Sequence, residues 1–257
     1  MSIYQHFRPE EREFIDQVFS WIEYVDERYS PKLTDFLDPR EQFIVQTVVN
    51  YQNLCRVSFW GGSEKNERKR ALLYPDYFEP VPEDFQLQLF EIIYPEKFVT
   101  ITHPQVLGSL LGTGLKRSKF GDIILRDKRV QVFVAQEVSE YIQLNFQRIG
   151  KNTVALKPSP LEEALELEEE WQEKMITVAS LRLDAILSQA HNLSRQKASE
   201  WVKQGLVKVN WKIVEDPSYL LEEHDVISAR RLGRLKILSL QGQTKKEKWR
   251  ILIGKQK

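Results

Sequence analysis

LSRQKASEWVKQGLVKVN, residues 193–210, carries four basic residues and one acidic one. Ser194 is suited to cap a helix and Gly205 to take the left-handed position that follows one, so the spacing predicts a short helix that stops where a strand begins. On that helix Arg195, Ser199 and Lys203 recur at i, i+4 and i+8 and form a polar stripe, while Ala198 and Val202 face the other way. In the strand, Val207 and Val209 take one face and Lys208, Asn210 and Lys212 the other. Helix stripe and strand face are expected to lie side by side as one basic surface. Upstream, Leu183, Ile186, Leu187 and Ala190 mark the apolar face of a preceding short helix.

This basic stretch sits in a chain of 257 residues whose net charge is zero. The balance is uneven: residues 181–257 hold 16 Lys and Arg against 8 Asp and Glu, whereas the first 180 residues hold 21 against 29. A basic module attached to an acidic body points to a polyanionic partner. A single cysteine, Cys55, excludes an internal disulfide and a multi-cysteine zinc site and fits a reducing compartment. No apolar run near 18 residues and no leader-like start occur, so no membrane span is expected and the cytoplasm is the default location.

Periodicity divides the remainder. Residues 9–29 place Phe14, Val18, Ile22 and Val25 on one helical face; Asp38, Pro39 and Glu41 then form a capping-box signature for a second helix. CRVSFW reads as a strand, GG as a tight turn, SEKNERKR as a short helix opened by Ser63, and ALLY as a returning strand. After a proline-containing boundary come FQLQLFEII, KFVTI, a helix opening near Thr102 to Pro104, GDIIL, RVQVFV, a helix over residues 136–148, and NTVAL. That order predicts a βαββαβ sandwich. LEEALELEEEW, with six glutamates between residues 161 and 171, has a composition that favours helix, the alternative being a flexible acidic linker. The fold class expected is α+β in three small units: an N-terminal α/β unit over 1–80, an RRM-like unit over 81–158, an acidic linker or helix over 159–180, and a basic module over 181–257.

R182-L183-D184, the pair S194-R195 with A198 four residues after S194, then G205, V207, V209-N210 and D225-V226-I227 resemble the S4 RNA-binding domain, also called the αL motif. Trp211 stands where that pattern commonly has glycine after the asparagine, and His224 where glycine commonly precedes the aspartate; histidine tolerates a left-handed backbone better than most residues. VNWKIVEDPSY, the tail GRLKIL and TKKEKWRILIGK, and the upstream FWGGSEKNERKRALLYPDYF and LGSLLGTGLKRSKFGDIIL are similar to the YlmH family of bacterial S4-domain proteins, and the similarity spans nearly the whole chain. The resemblance implies an N-terminal α/β unit, a central RRM-like unit and a C-terminal S4 domain. It further implies a factor that binds rRNA and tRNA on the large ribosomal subunit in ribosome-associated quality control.

The residue types suit such a ligand. Folded RNA is met through its phosphates and shape, which call for fixed donors. Arg182 and Arg195 offer bidentate guanidinium forks, Lys197, Lys203, Lys208 and Lys212 supply mobile charge, and the helix start at Ser194 adds backbone N–H donors. Asn210 is either a donor to a sugar or base edge or a turn residue closing a hairpin. Asp184 reads as a structural partner for a neighbouring arginine. Two further clusters are candidate second contacts: Lys65, Arg68, Lys69 and Arg70 after the GG turn, where Glu64 and Arg68 also form an ordinary helical pair, and Lys116, Arg117 and Lys119 in a loop. Phe133 occupies a strand position that stacks bases in RNA-recognition folds, but VQVFV lacks the spaced aromatic pattern, and core packing is expected.

No catalytic, metal or cofactor site is read. RLD also occurs in pseudouridine synthases, which gives the alternative of an RNA-modifying enzyme, but AILSQ follows it instead of the threonine and glycine expected around that nucleophile. G108-S-L-L-G112-T-G114 lacks the spacing of a phosphate-binding loop. His6, His103, His191 and His224 are scattered, without ligand spacing. Cys55 reads as a buried small hydrophobe. The partners expected are rRNA and tRNA, with a protein partner through acidic residues 161–171 as a further candidate; no membrane is expected and a monomer is.

Overall fold

The structure, a computed structural model, describes residues 3–7, 9–166 and 171–256. It is a mixed helix and sheet fold in two compact units, residues 1–167 and 168–257.

The first unit opens with helices α1 (Arg12–Arg28) and α2 (Pro39–Gln52), separated by strand β1 (Lys32–Leu37), an element beyond those expected from periodicity. Asp38 caps α2 as expected: its carboxylate accepts from the Arg40 and Glu41 amides at 2.9 Å, and Glu41 accepts from the Asp38 amide at 2.7 Å. β2 (Arg56–Trp60) and β3 (Lys69–Tyr74) complete an antiparallel sheet in the order β1-β3-β2. Ile15, Val18, Ile22 and Val25 of α1 and Ile44, Val45, Val48 and Val49 of α2 pack with Ala71 and Leu73 of β3 as one core.

No helix forms over residues 63–70. The Asn66 amide donates to Gly61 O at 2.6 Å, and the Asp122 carboxylate takes the backbone N–H groups of Glu67 (2.6 Å) and Arg68 (3.3 Å). These tertiary bonds replace the local ladder a helix would need. Burial raises Asp122 to about 6, followed by the Glu67 charge, against the opposing pull of the two amides and of Arg117.

Next come β4 (Leu87–Ile93), α3 (His103–Leu111), β5 (Phe120–Arg126), β6 (Arg129–Ala135), α4 (Ser139–Asn145), the short hairpin β7 (Arg148–Ile149) and β8 (Asn152–Thr153), and β9 (Ala155–Ser159). The four long strands pair antiparallel in the order β5-β6-β4-β9. Numbered among themselves they run 2-3-1-4, which is an RRM-like sheet. The strand expected at residues 97–101 is turn and irregular backbone, and the helix expected over 136–148 is a 3-10 turn followed by α4.

Alternation gives this sheet two faces. Phe90, Ile92, Val130, Val132 and Val134 meet Val106, Leu110 and Ile142 of α3 and α4. On the other face Leu87, Leu89, Phe133 and Ala135 meet Phe36, Leu72 and Tyr74 of the N-terminal sheet. The N-terminal and central elements, expected as separate units, therefore share a core. Gly62, at φ 96°, lets the GG turn lie on the Phe133 ring: a Cβ there would fall 2.1 Å from Phe133 Cε1.

The acidic helix is a correction. Residues 161–163 form a single 3-10 turn and residues 164–166 leave it in non-helical backbone; residues 167–170 lie outside the described residues, and residue 171 begins a strand. The Gln131 side chain, fully buried, donates to Glu163 O at 3.1 Å and accepts from Leu165 N at 2.7 Å, while Leu161, Ala164 and Leu165 pack on the shared core. Specific burial overrides a helix-favouring composition.

The second unit is a six-stranded antiparallel sheet with two helices on one face. Its elements are β10 (Trp171–Val178), α5 (Leu183–His191), α6 (Arg195–Lys203), β11 (Val207–Val209), β12 (Lys212–Ile213), β13 (Val226–Ala229), β14 (Gly233–Gln243) and β15 (Trp249–Gln256), and the strand order is β10-β15-β14-β13-β11-β12. Residues 171–178, expected in the linker, are a full strand paired along β15. Leu183, Ile186, Leu187, Ala198 and Val202 pack on Val207, Val209, Ile227, Leu235, Ile251 and Ile253. Among the described residues no helix is long and apolar enough to cross a membrane.

Candidate nucleic-acid interface

α5 and α6 begin close together. The Leu183 amide donates to Tyr219 O at 2.8 Å and the Asp184 amide to Pro217 O at 3.1 Å, which ties the start of α5 to the 216–220 loop. Asn192 turns left-handed at φ 54°, and Ser194 caps α6 by accepting from the Lys197 amide at 3.2 Å. Arg182 and Arg195 consequently reach one carboxylate. Arg182 Nε lies 3.1 Å from Asp184 Oδ1 and Arg195 Nε lies 3.1 Å from Asp184 Oδ2, with each Nη2 completing a fork.

The Asp184 side chain is 5% exposed, against 37% for Arg182 and 53% for Arg195. Burial alone would raise its carboxyl, but the hydrogen bonds from Arg182 and then Arg195 hold it below the ordinary carboxylate range. Two guanidiniums against one carboxylate leave a net positive charge, and the carboxylate fixes both planar groups with outward edges facing solvent. Lys203 is exposed on the stripe one turn after Ser199, and Lys197 is exposed on another flank of the same helix. Arg182, Ser194 and Arg195 thus form a basic surface around two helix N-termini, an arrangement that meets phosphate oxygens, and Lys203 carries positive charge to the last residue of α6.

Lys208 and Asn210 do not join it. Val207 and Val209 pack under α5 and α6, so Lys208 projects from the opposite face of the sheet, and the side-by-side arrangement expected from the sequence is not formed. Lys212 pairs with Val209, on the helix side at the sheet edge. Asn210 is a turn residue: its amide donates to Asp225 Oδ1 at 2.7 Å and accepts from Val226 N at 2.9 Å, which takes both ends of the group.

The second clusters are also spent internally. Arg68 Nη2 donates to Phe36 O at 2.9 Å and its Nε to Phe120 O at 3.2 Å; Arg117 Nη1 donates to Gly121 O at 3.1 Å. Burial lowers Arg117 to about 10, helped by the Arg68 charge. Lys119 Nζ lies 2.6 Å from Asp35 Oδ1 and 3.0 Å from Glu137 Oε1, Lys69 Nζ donates to Glu64 O at 3.0 Å, and Lys65 Nζ lies 2.7 Å from Glu166 Oε2. Arg70, 5% exposed, binds Thr34 O and Glu137. The loop expected to offer open donors exposes Lys116, while Arg68 holds β1 to β5 and Arg117 folds onto the first carbonyls of β5. Such charged runs look alike in sequence whether solvated or buried, because the carbonyls that accept from Arg68 and Arg70 come from distant strands.

The sheet face that carries Phe133 is covered by the N-terminal sheet and by residues 161–165. Phe133 is 0% exposed and cannot stack a base. Burial, followed by the charges of Asp26 and Asp76, pushes the Cys55 thiol up to about 11, which removes it as a nucleophile at neutral pH. Among the described residues no cluster of three His, Cys, Asp or Glu is arranged to hold a metal ion.

A family profile described as a putative RNA-binding domain in YlmH matches residues 80–163, and an S4 domain profile matches residues 181–227. Over 256 residues, 100% of this chain and 99% of the relative, the sequence is 45% identical to ribosome-associated protein quality control protein P2 of Bacillus subtilis (strain 168). A solved structure described as cell division protein ylmH from Streptococcus pneumoniae superposes with a TM-score of 0.58 at 33% identity, covering 64% of this chain and 100% of that one.

Proposed function

The chain belongs to the YlmH family of S4-domain proteins, which includes ribosome-associated protein quality control protein P2, and from this we propose that it is a non-catalytic, cytoplasmic RNA-binding factor of ribosome-associated quality control. It acts on the large ribosomal subunit, where the S4 unit contacts rRNA and tRNA in a stalled peptidyl-tRNA complex. The carrying observation is the pair of guanidiniums held over Asp184 at the adjoining starts of α5 and α6. A guanidinium already oriented by a buried carboxylate loses little further freedom on meeting a phosphate.

Arg182, Ser194, Arg195, Lys197 and Lys203 form the primary contact in this reading. The same geometry argues against Asp184 as a nucleophile, since both its oxygens accept from arginines. Sedimentation of lysate through sucrose gradients tests the proposal, comparing the intact chain with Lys197→Gln/Lys203→Gln. Co-migration with large subunits that the double variant loses is the expected result. Free sedimentation of the intact chain at low salt would overturn it.

A further inference from the structure

α5 and α6 cover one face of the S4 sheet and leave the other open. Cross-strand register orders the outward side chains in rows. Ile213, Lys208, Ser228 and Arg234 follow one another across β12, β11, β13 and β14, and Val226, Lys236, Gly254 and Glu173 across β13, β14, β15 and β10. Arg250, opposite Thr177, shares this face. Among the described residues of these rows, Lys208, Arg234, Lys236 and Arg250 thus set four positive charges against the carboxylate of Glu173.

Aromatic rings stand among these cations. The Arg234 guanidinium carbon lies 5.9 Å from the centre of the Trp211 ring, and Lys236 Nζ lies 5.9 Å from the centre of the Trp171 ring. Gly254 makes room for the second: a Cβ there would fall 2.9 Å from Trp171 Cβ. Trp211 is held in left-handed backbone at φ 65°, directly after Asn210 at φ 48°. Glycine fits that region without strain and a bulky residue does not, and strain kept at a surface turn marks a side chain with a task.

Alternating cations and indole rings on an open sheet suit a strand with a phosphate at every step and a planar base between. We propose that this outer face of the S4 sheet binds unpaired nucleotides of an RNA, with Lys208, Arg234 and Lys236 on phosphates and Trp211 stacking a base. This surface is distinct from the helix-side cluster. It rests on the RNA-binding reading above and adds a second site of a different specificity: the helix side meets structured RNA, the outer sheet a single strand.

The test uses the full chain with two fluorescein-labelled probes, a short uridine oligonucleotide and an RNA hairpin, read by anisotropy. Trp211→Gly/Lys236→Gln alters the outer face, and relief of backbone strain at position 211 protects its folding. Lys197→Gln/Lys203→Gln alters the helix side. The outer pair is expected to weaken oligonucleotide binding by about tenfold or more while sparing the hairpin, and the helix pair to do the reverse. Oligonucleotide affinity unchanged by the outer pair overturns the proposal, as does binding of poly-glutamate at equal charge with equal affinity, which would mark an acidic protein partner. If the intact chain binds the hairpin alone, this proposal fails and the RNA-binding reading survives; if it binds neither probe, both fail.

Discussion

Arg195 and Asp184, eleven residues apart, form a fork in which Arg195 Nε and Nη2 lie 3.1 and 3.4 Å from the two oxygens of a carboxylate that is 5% exposed. Arg195 is therefore both part of the exposed basic surface and a structural partner, and substitutions separate the roles. Arg195→Glu would set a second carboxylate against Asp184 and lower stability together with RNA affinity. Arg195→Lys keeps the charge and loses the fork; its melting temperature is expected to stay within a few degrees of the parent while RNA affinity falls several-fold. Equal affinity for the Lys variant would remove the planar fork from the recognition argument.

Asp184→Ala strands two guanidiniums over an apolar start of α5. Because both arginines are partly solvated, the expected loss is about 1–3 kcal/mol, short of a fully buried pair. Denaturant unfolding measures it. The pH sign follows from the lowered carboxyl: the contribution is present above the ordinary aspartate value and lost as pH falls through the lower folded one, so Asp184→Ala and the parent converge at strongly acidic pH.

Asp122 and His191 give opposite slopes. Burial raises Asp122 to about 6, so the folded first unit holds a proton that the unfolded chain releases, and its stability declines as pH rises from the ordinary aspartate range toward 6. Burial, then Lys255, lowers His191 to about 4, so the second unit loses stability as pH falls from the ordinary histidine value toward 4. Thermal melts across this window are expected to lose the first slope in Asp122→Asn and the second in His191→Leu. Parallel curves for parent and variant would contradict the corresponding assignment.

Gly62→Ala meets both a left-handed backbone and the Phe133 ring. An expected loss of roughly 2–4 kcal/mol combines backbone strain with overpacking. Phe133→Leu is expected to reduce stability by about 1 kcal/mol and to leave RNA affinity unchanged. A drop in affinity with an unchanged melting temperature would return Phe133 to a stacking role.

Removing a phosphate-contacting lysine such as Lys203 is expected to reduce the slope of log affinity against log salt concentration by about one. An unchanged slope places Lys203 in the solvated surface. Lys116, on the first unit, serves as the comparison, with no change of slope expected for its removal.

Local chemistry made much of this legible from the sequence. The Asp38 capping box, the Ser194 cap and the alternation of Val207 and Val209 each depend on residues within a few positions of one another, and each appears where the spacing placed it. The S4 and RRM-like patterns, and the charge concentrated in the last third, were likewise readable.

What the sequence alone determined is the α5–α6–β11 run of the S4 unit, the α+β class and the basic character of its helices, because periodicity and capping act over one or two turns. Tertiary structure alone decided which charges are available. Lys208 alternates correctly yet faces away from Arg195, since one strand face must be buried and the helices chose it. Arg68 and Arg117 read as surface bases but satisfy carbonyls of Phe36, Phe120 and Gly121. The glutamate-rich stretch begins without a helix because buried Gln131, some thirty residues earlier, binds its backbone. Burial of a polar group requires a partner, and which distant backbone supplies that partner is fixed only when the sheets meet.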